Sequence, residues 1–334
     1  MKRSAAAFIL LFSIAAISFC VSSCKNQEKL PGSHEKVRIG YSFEPSNALY
    51  IIAEAKGFFS HEGLTAEIKT YPSGKLAMEG MFRGEVDLSM SADTPIVFNS
   101  FERRDFSIIA STAVIDRYHK IIARKDKGIL KPEDLRNKRI ATQKASAVHY
   151  YLYAFLQSHG LAVKDVSLIF KQPDDLPDLL SKGLIDAFSM REPFISKAEN
   201  LLGSNAIVFA ESGLYLRTDY LTAKTDFVNS KSRAIKKVLM SLIRAEEFIK
   251  KYPEQAIKLV CEKLGVRETE IKDVWKDMIF EVSLDQADVI ALEGIARWAI
   301  QSKLTEKTEM PNYLDFIYTD ALKAIKPEAV TIIK

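Results

Sequence analysis

A chain of 334 residues that is 47% hydrophobic and 10% aromatic has apolar material for two packed cores, and this is not the composition of a disordered protein. Its formal net charge is +4, from 47 basic and 43 acidic residues scattered without a long basic run, which argues against a nucleic-acid partner. The 5 histidines are dispersed and no Cys/His pair stands at metal-ligand spacing, so neither a metal nor another cofactor is expected.

The N-terminus reads as a targeting signal. Lys2-Arg3 supplies a positive start, Ala5 to Val21 is apolar with scattered Ser, and Val21-Ser22-Ser23-Cys24 places small residues before a cysteine. The general form is a secretory signal, too short and wrongly flanked for a stable membrane span. The last four residues resemble the lipobox of bacterial lipoproteins, which implies cleavage after residue 23 and lipidation of Cys24; an uncleaved anchor is the alternative. Either way the body of the protein is expected outside the cytoplasm, held at the membrane and facing the periplasm or the cell exterior. Loss of Lys2 and Arg3 with the leader lowers the charge from +4 to +2. With Cys20 discarded and Cys24 acylated, Cys261 is the remaining thiol and no intramolecular disulfide can form. It lies in the helical pattern Ala256 to Leu264 and reads as a buried small hydrophobe. Residues 24–36, polar with Pro31, Gly32 and Ser33, read as a flexible tether.

From Val37 the pattern becomes regular. Val37 to Ser42 is a strand, Asn47 to Lys56 a helix stopped at Gly57, Thr65 to Tyr71 a strand, Lys75 to Arg83 a helix closed by Gly84, Val86 to Met90 a strand, Ser91 to Pro95 the lead into another helix, and Phe106 to Thr112 a fourth strand. Alternation of this kind implies an α/β layer with a largely parallel sheet, whose ligands collect at the carboxyl ends of strands. Three such ends carry small or polar loops: Tyr41 to Asn47, Ser91 to Thr94, and Gln143 to His149. The third is the most informative. Arg139 to Thr142 is a strand, small Ala145, Ser146 and Ala147 follow, and Val148, Leu152, Phe155 and Leu156 recur at helical spacing. Ser146 reads as the N-cap, and an open helix N-terminus flanked by small residues makes an anion pocket to which His149 and Tyr150 can add donors.

Beyond this point strands are expected at Ser167 to Phe170, Ala187 to Met190 and Ala206 to Ala210. Helices follow at Lys231 to Lys250, Glu254 to Leu264, Glu268 to Ile279 and Asp285 to Gln301. Lys56-Gly57-Phe58-Phe59, Glu62-Gly63-Leu64, Gly84-Glu85-Val86-Asp87-Leu88 and Ser91-Ala92-Asp93-Thr94-Pro95 occur in an order that resembles the periplasmic substrate-binding proteins of nitrate, sulfonate, taurine and bicarbonate ABC importers. Gly183-Leu184-Ile185-Asp186-Ala187-Phe188 and Arg191-Glu192-Pro193-Phe194 are similar to later markers of that family. Two departures stand out: Lys144-Ala145 where a Gly is common, and Arg191 where an aromatic often precedes Glu-Pro.

The resemblance implies an α/β fold of two lobes (type II periplasmic binding protein), with ligand in the cleft between them and a helical C-terminal part. Residues 37–118 with 221–334 would form lobe one, and 119–220 lobe two. The ligand set it implies is Ser42, Phe43 and Asn47; Ser91, Ala92, Asp93 and Thr94; Lys144, Ala145, Ser146, Ala147, His149 and Tyr150; and Arg191 with Glu192. Asn47 and Asp93 serve equally as helix caps, His149 as a surface residue, and Arg191 as the partner of Glu192 or of an acid on the other lobe. The implied activity is non-catalytic: capture of a small oxyanion-bearing molecule and delivery, as a lipid-anchored monomer, to an ABC permease and its ATPase. Three other readings stand beside it: a binder of a thiamine-precursor pyrimidine or other heterocycle, an enzyme on the same fold of the pyrimidine-synthase or menaquinone-pathway type, and a sensor that kept the fold without transport.

Overall fold

Strand β1 (Glu35–Ser42) is buried from Ile39 onward, as a strand covered on both faces must be. The structure, a computed structural model, describes residues 34–333; the expected signal, Cys24 and most of the tether lie outside the described residues. After β1 come α1 (Ala48–Ala55), α2 (Phe58–His61), β2 (Leu64–Tyr71), α3 (Gly74–Phe82), β3 (Leu88–Ala92), α4 (Asp93–Glu102), β4 (Phe106–Ile115) and β5 (Lys120–Arg124). Then follow β6 (Arg139–Thr142), α5 (Ala147–Ser158), β7 (Ser167–Phe170), α6 (Leu176–Ser181), β8 (Ala187–Met190), α7 (Phe194–Leu202), β9 (Ala206–Phe209) and β10 (Arg217–Lys224). The rest is mainly helical: α8 (Thr225–Ser230), α9 (Ser232–Lys251), α10 (Pro253–Leu264), α11 (Glu268–Trp275), the short β11 (Met278–Ile279), α12 (Gln286–Gln301) and α13 (Asp320–Lys323). His34–Lys334 forms one compact unit, and among the described residues no helix is long and apolar enough to cross a membrane.

The fold is mixed α/β with two sheets. The larger has six strands in the order β11-β4-β10-β3-β1-β2, and the smaller has five in the order β7-β6-β8-β5-β9. Each has a parallel centre: β1 runs parallel to β2 and β3, and β6 to β7 and β8. Each also receives an antiparallel strand from a segment that passes between the sheets. β5 pairs antiparallel with β8 and β9, and β10 antiparallel with β3 and β4.

The sequence markers at Asp87 and Asp186 are revealed as matching clamps. Arg38 on β1 donates from its backbone N–H and Nε to Asp87 Oδ2 (2.9 and 3.2 Å) and from Nη2 to Oδ1 (2.6 Å), while Nη1 reaches the Gly84 carbonyl. Arg139 on β6 makes the same set with Asp186 (2.8, 3.1 and 2.7 Å) and the Gly183 carbonyl. Gly84 and Gly183 both have positive φ (76° and 69°), which lets the chain turn back under the arginine. Asp87 and Asp186 each stand just before a parallel strand, β3 or β8, so these motifs hold neighbouring strands in register at their amino ends.

Three expectations need correction. β3 runs from Leu88 to Ala92, because Asp87 is engaged by Arg38 and the pairing with β10 reaches Ala92. The helix expected from Glu268 to Ile279 ends at Trp275, because Met278 and Ile279 pair with the open edge of β4. The chain re-enters the larger sheet at Arg217, so residues 217–220 lie in β10 of that sheet rather than in the second lobe.

Candidate ligand-binding site

Between the carboxyl ends of the parallel strands lies a cavity of about 40 Å³, open on one side. The larger sheet contributes Glu44 after β1, Ser73, Gly74 and Lys75 after β2, Ala92 and Pro95 after β3, and Arg217 at the start of β10. The smaller contributes His119 ahead of β5, Gln143, Ser146, Ala147 and Val148 after β6, and Arg191 after β8.

Glu44 joins the two sides. Its Oε1 accepts from Arg191 Nη2 at 3.0 Å, and its Oε2 from Arg217 Nη1 and the Tyr118 hydroxyl, each at 3.1 Å. Burial by itself raises this carboxyl, but the two guanidiniums outweigh it and hold the group down at about 2. Arg217 is also bidentate on Asp219, with both contacts at 2.8 Å; burial lowers its pKa, and Asp219 and Glu44 raise it further, so it stays charged. Arg191 differs. Its Nε is buried and has no protein partner. His119, only 2% exposed, likewise leaves Nε2 unpartnered. Burial, then the Arg217 and Arg191 charges, push this imidazole well below its usual value, so it is neutral and offers one donor and one acceptor. It stacks on Tyr215, with ring centroids 5.4 Å apart and planes at 21°.

The turn before α5 supplies the remaining donors. Ser146 occupies the N-cap position, but its side chain does not cap as expected; the hydroxyl donates back to the Gln143 carbonyl at 2.6 Å. The first amides of α5, Ala147 and Val148, have no intrahelical acceptor, and both residues line the cavity. The backbone reaches that position through Ala145 at φ 54°, in the left-handed region that favours glycine. The arrangement is a pocket of N–H donors at a helix N-terminus, reinforced by a buried guanidinium edge, and it suits an oxyanion.

The model of the family described as NMT1/THI5 like matches residues 44–256. This chain belongs to the NMT1/THI5-like family. Relatives of this NMT1/THI5-like chain include a Bacillus subtilis (strain 168) protein named for aliphatic-sulfonate binding, 24% identical over 272 residues, or 80% of this chain and 82% of that one. The taurine-binding periplasmic protein of Escherichia coli (strain K12) is 24% identical over 166 residues, 49% of this chain and 51% of that one. The same fold occurs in the alkanesulfonate-binding protein SsuA from Xanthomonas axonopodis pv. citri bound to MOPS, with a TM-score of 0.72 at 19% identity, over 85% of this chain and 98% of that one.

Of the residues expected to contact ligand in this NMT1/THI5-like chain, Ala92, Ser146, Ala147 and Arg191 line the cavity. The others stand behind it or beside it. Ser42 is buried; its carbonyl accepts from Asn47 Nδ2 at 2.6 Å, and Asn47 makes no cap. Phe43 is 49% exposed. Ser91 is buried with its hydroxyl unpartnered. Asp93, the first residue of α4, accepts from the Thr94 amide and hydroxyl, the Tyr215 hydroxyl and the Thr218 amide. Burial raises its pKa to about 6 against those hydrogen bonds. These bonds tie α4 to the returning crossing segment. Lys144 lies over the Phe170 ring, 5.7 Å from its centroid. His149 is buried rather than surface: its Nδ1 accepts from the Ala145 amide, and its ring meets Phe170 and Trp298 edge-on. Burial and then Lys144 lower it to about 4, so it is no cationic donor at neutral pH. Tyr150 packs edge-on against Tyr215 and Trp298. Glu192 accepts from Lys120 and from the Ser196 amide and hydroxyl, whereas Arg191 pairs with Glu44 and not with its neighbour. Glu44, His119 and Arg217 carry the cavity's chemistry without having been singled out as ligand residues. Glu44 was within reach, since it lies in the loop that already supplied Ser42, Phe43 and Asn47. Nothing local marks Arg217, whose place depends on β10 entering the larger sheet.

Proposed function

We propose that this chain is the solute-binding component of an ABC importer, held at the membrane by a lipid on Cys24, with lobe one and lobe two closing on a small oxyanion-bearing molecule and presenting it to a permease and its ATPase. The observation that carries the reading is the unused donor set around the cavity: the Ala147 and Val148 amides, the buried Arg191 Nε, and His119. A site made of fixed N–H donors at a helix N-terminus recognises an anion without transforming it. The relatives named for sulfonate and taurine binding support the same class of ligand.

A thermal-shift screen of the compact unit His34–Lys334 against sulfonates, amino-sulfonates, nitrate and bicarbonate tests this directly. A true ligand at about a hundredfold excess over its dissociation constant adds roughly 2.7 kcal/mol of stability. Arg191→Gln is expected to abolish the shift. A hit that survives this change would place the site elsewhere, and no hit among oxyanions would sink the reading.

A further inference from the structure

Glu44 stands in the one place where an anion-binding site should avoid a carboxylate. Its Oε1 and Oε2 occupy Arg191 Nη2 and Arg217 Nη1, and Arg217 is already bidentate on Asp219. Buried Arg217 and the largely buried Arg191 therefore stand among three buried carboxylates, Glu44, Asp93 and Asp219; with Lys75, which also lines the cavity, the formal charges of these six groups sum to zero, and His119 is neutral. A bare monoanion entering such a site leaves one buried negative charge unbalanced, which is costly away from water. A solute that carries its own positive charge leaves the balance unchanged.

The acceptor geometry points the same way. Glu44 Oε2 takes two hydrogen bonds, whereas Oε1 takes one, from Arg191, and the residue lines the cavity. A carboxylate oxygen holds two acceptor positions, so Oε1 has one to offer. Beside it, the Arg191 Nε–H is a donor without a partner. An open acceptor and an open donor thus meet on the same ion pair, with the α5 amides beyond. That constellation matches a molecule with an oxyanion at one end and a protonated amine a few bonds away.

Taking the cavity as the ligand site proposed above, we infer that Glu44 is its specificity residue: its carboxylate neutralises the arginines and receives a ligand ammonium group, so the site selects small zwitterions over bare monoanions of the same size. The oxyanion would sit on the α5 amides and Arg191 Nε, the ammonium on Glu44 Oε1.

Calorimetric titration with an isosteric pair decides it: 2-aminoethanesulfonate against propane-1-sulfonate, and 3-aminopropanoate against butanoate as the carboxylate counterpart. The unaltered protein is expected to prefer the amine-bearing member of at least one pair by tenfold or more. Glu44→Gln is expected to bring that ratio to unity or below, mainly by strengthening the monoanion. Glu44→Asp keeps the charge and is expected to keep the direction of the preference, so a fold defect in the Gln variant cannot mimic the result. Equal binding of both members by the unaltered protein would overturn the role of Glu44 and leave the oxyanion site standing, as would a preference untouched by Glu44→Gln. Absence of binding by any oxyanion, zwitterionic or not, would overturn the site itself.

Discussion

Residue by residue, the loop ahead of α5 shows how a single backbone torsion shapes a binding surface. Ala145 sits at φ 54°, where its Cβ crowds the following carbonyl, and the chain accepts the strain to present the Ala147 and Val148 amides to the cavity. Glycine relieves that crowding, at the cost of a more flexible unfolded chain. Ala145→Gly is therefore expected to raise unfolding stability by about 0.5 to 1 kcal/mol in a denaturant titration, with the fold unchanged. A loss of stability would mean that the alanine methyl makes a contact worth more than the torsion costs. Ser146 teaches the complementary lesson. Its hydroxyl closes the turn onto Gln143 instead of capping the helix, and an uncapped N-terminus is what a ligand-binding helix needs.

At the scale of elements, the paired clamps explain why two stretches of sequence far from the cavity carry such recognisable motifs. In both sheets an arginine on the first parallel strand grips an aspartate just before the neighbouring strand, and a left-handed glycine three residues earlier hands its carbonyl to the same arginine. Asp186 is largely buried, and although burial raises its pKa, the Arg139 hydrogen bonds bring it below the usual carboxylate range. Asp186→Asn removes the charge and one good acceptor from a partly buried pair and should cost about 2 kcal/mol of stability. Ligand affinity should stay within about twofold, because the clamp lies at the far end of β6 and β8 from the cavity. A large drop in affinity with little loss of stability would contradict the structural role assigned here.

Across the whole molecule, the two sheets and their helices meet through the Glu44–Arg191 pair and through an aromatic cluster in which Trp298 of α12 packs against His149, Tyr150 and Tyr153 of α5 and Phe98 of α4. His149 makes this contact sensitive to acid. Its folded value, about 4, lies below the ordinary 6.5, so the unfolded chain takes up a proton first as the pH falls. The stability contributed by the neutral ring is complete above pH 6.5 and is lost progressively toward pH 4. At 1.36 kcal/mol for each pKa unit the loss is about 3 kcal/mol. His149→Phe keeps the aromatic packing and cannot titrate. Between pH 7 and pH 4 the unaltered protein should lose about 3 kcal/mol more than this variant in equilibrium unfolding; parallel pH profiles would show that the ring is free to reach water when protonated.

What could be read from the sequence was whatever depends on neighbours along the chain. Strands β6, β7 and β8 fall at the expected residues, and the helices closed by Gly57 and Gly84 end within one residue of theirs, because hydrophobic period and glycine stops are local properties. The three strand-end loops were legible for the same reason, and Ala92, Ser146, Ala147 and Arg191 do line the cavity. The tertiary structure decided which side chains of those loops face one another. Arg217 reaches the cavity because β10 pairs from its first residue with β4, and Glu44 faces Arg191 across 147 residues of sequence because each follows a strand of a different sheet. His149 and Asp93 look in sequence like ligand donors and acceptors, yet the fold gives them partners of their own. Polar residues at strand ends have several local uses, and only packing determines which of them is left without a partner and so is free to bind something else.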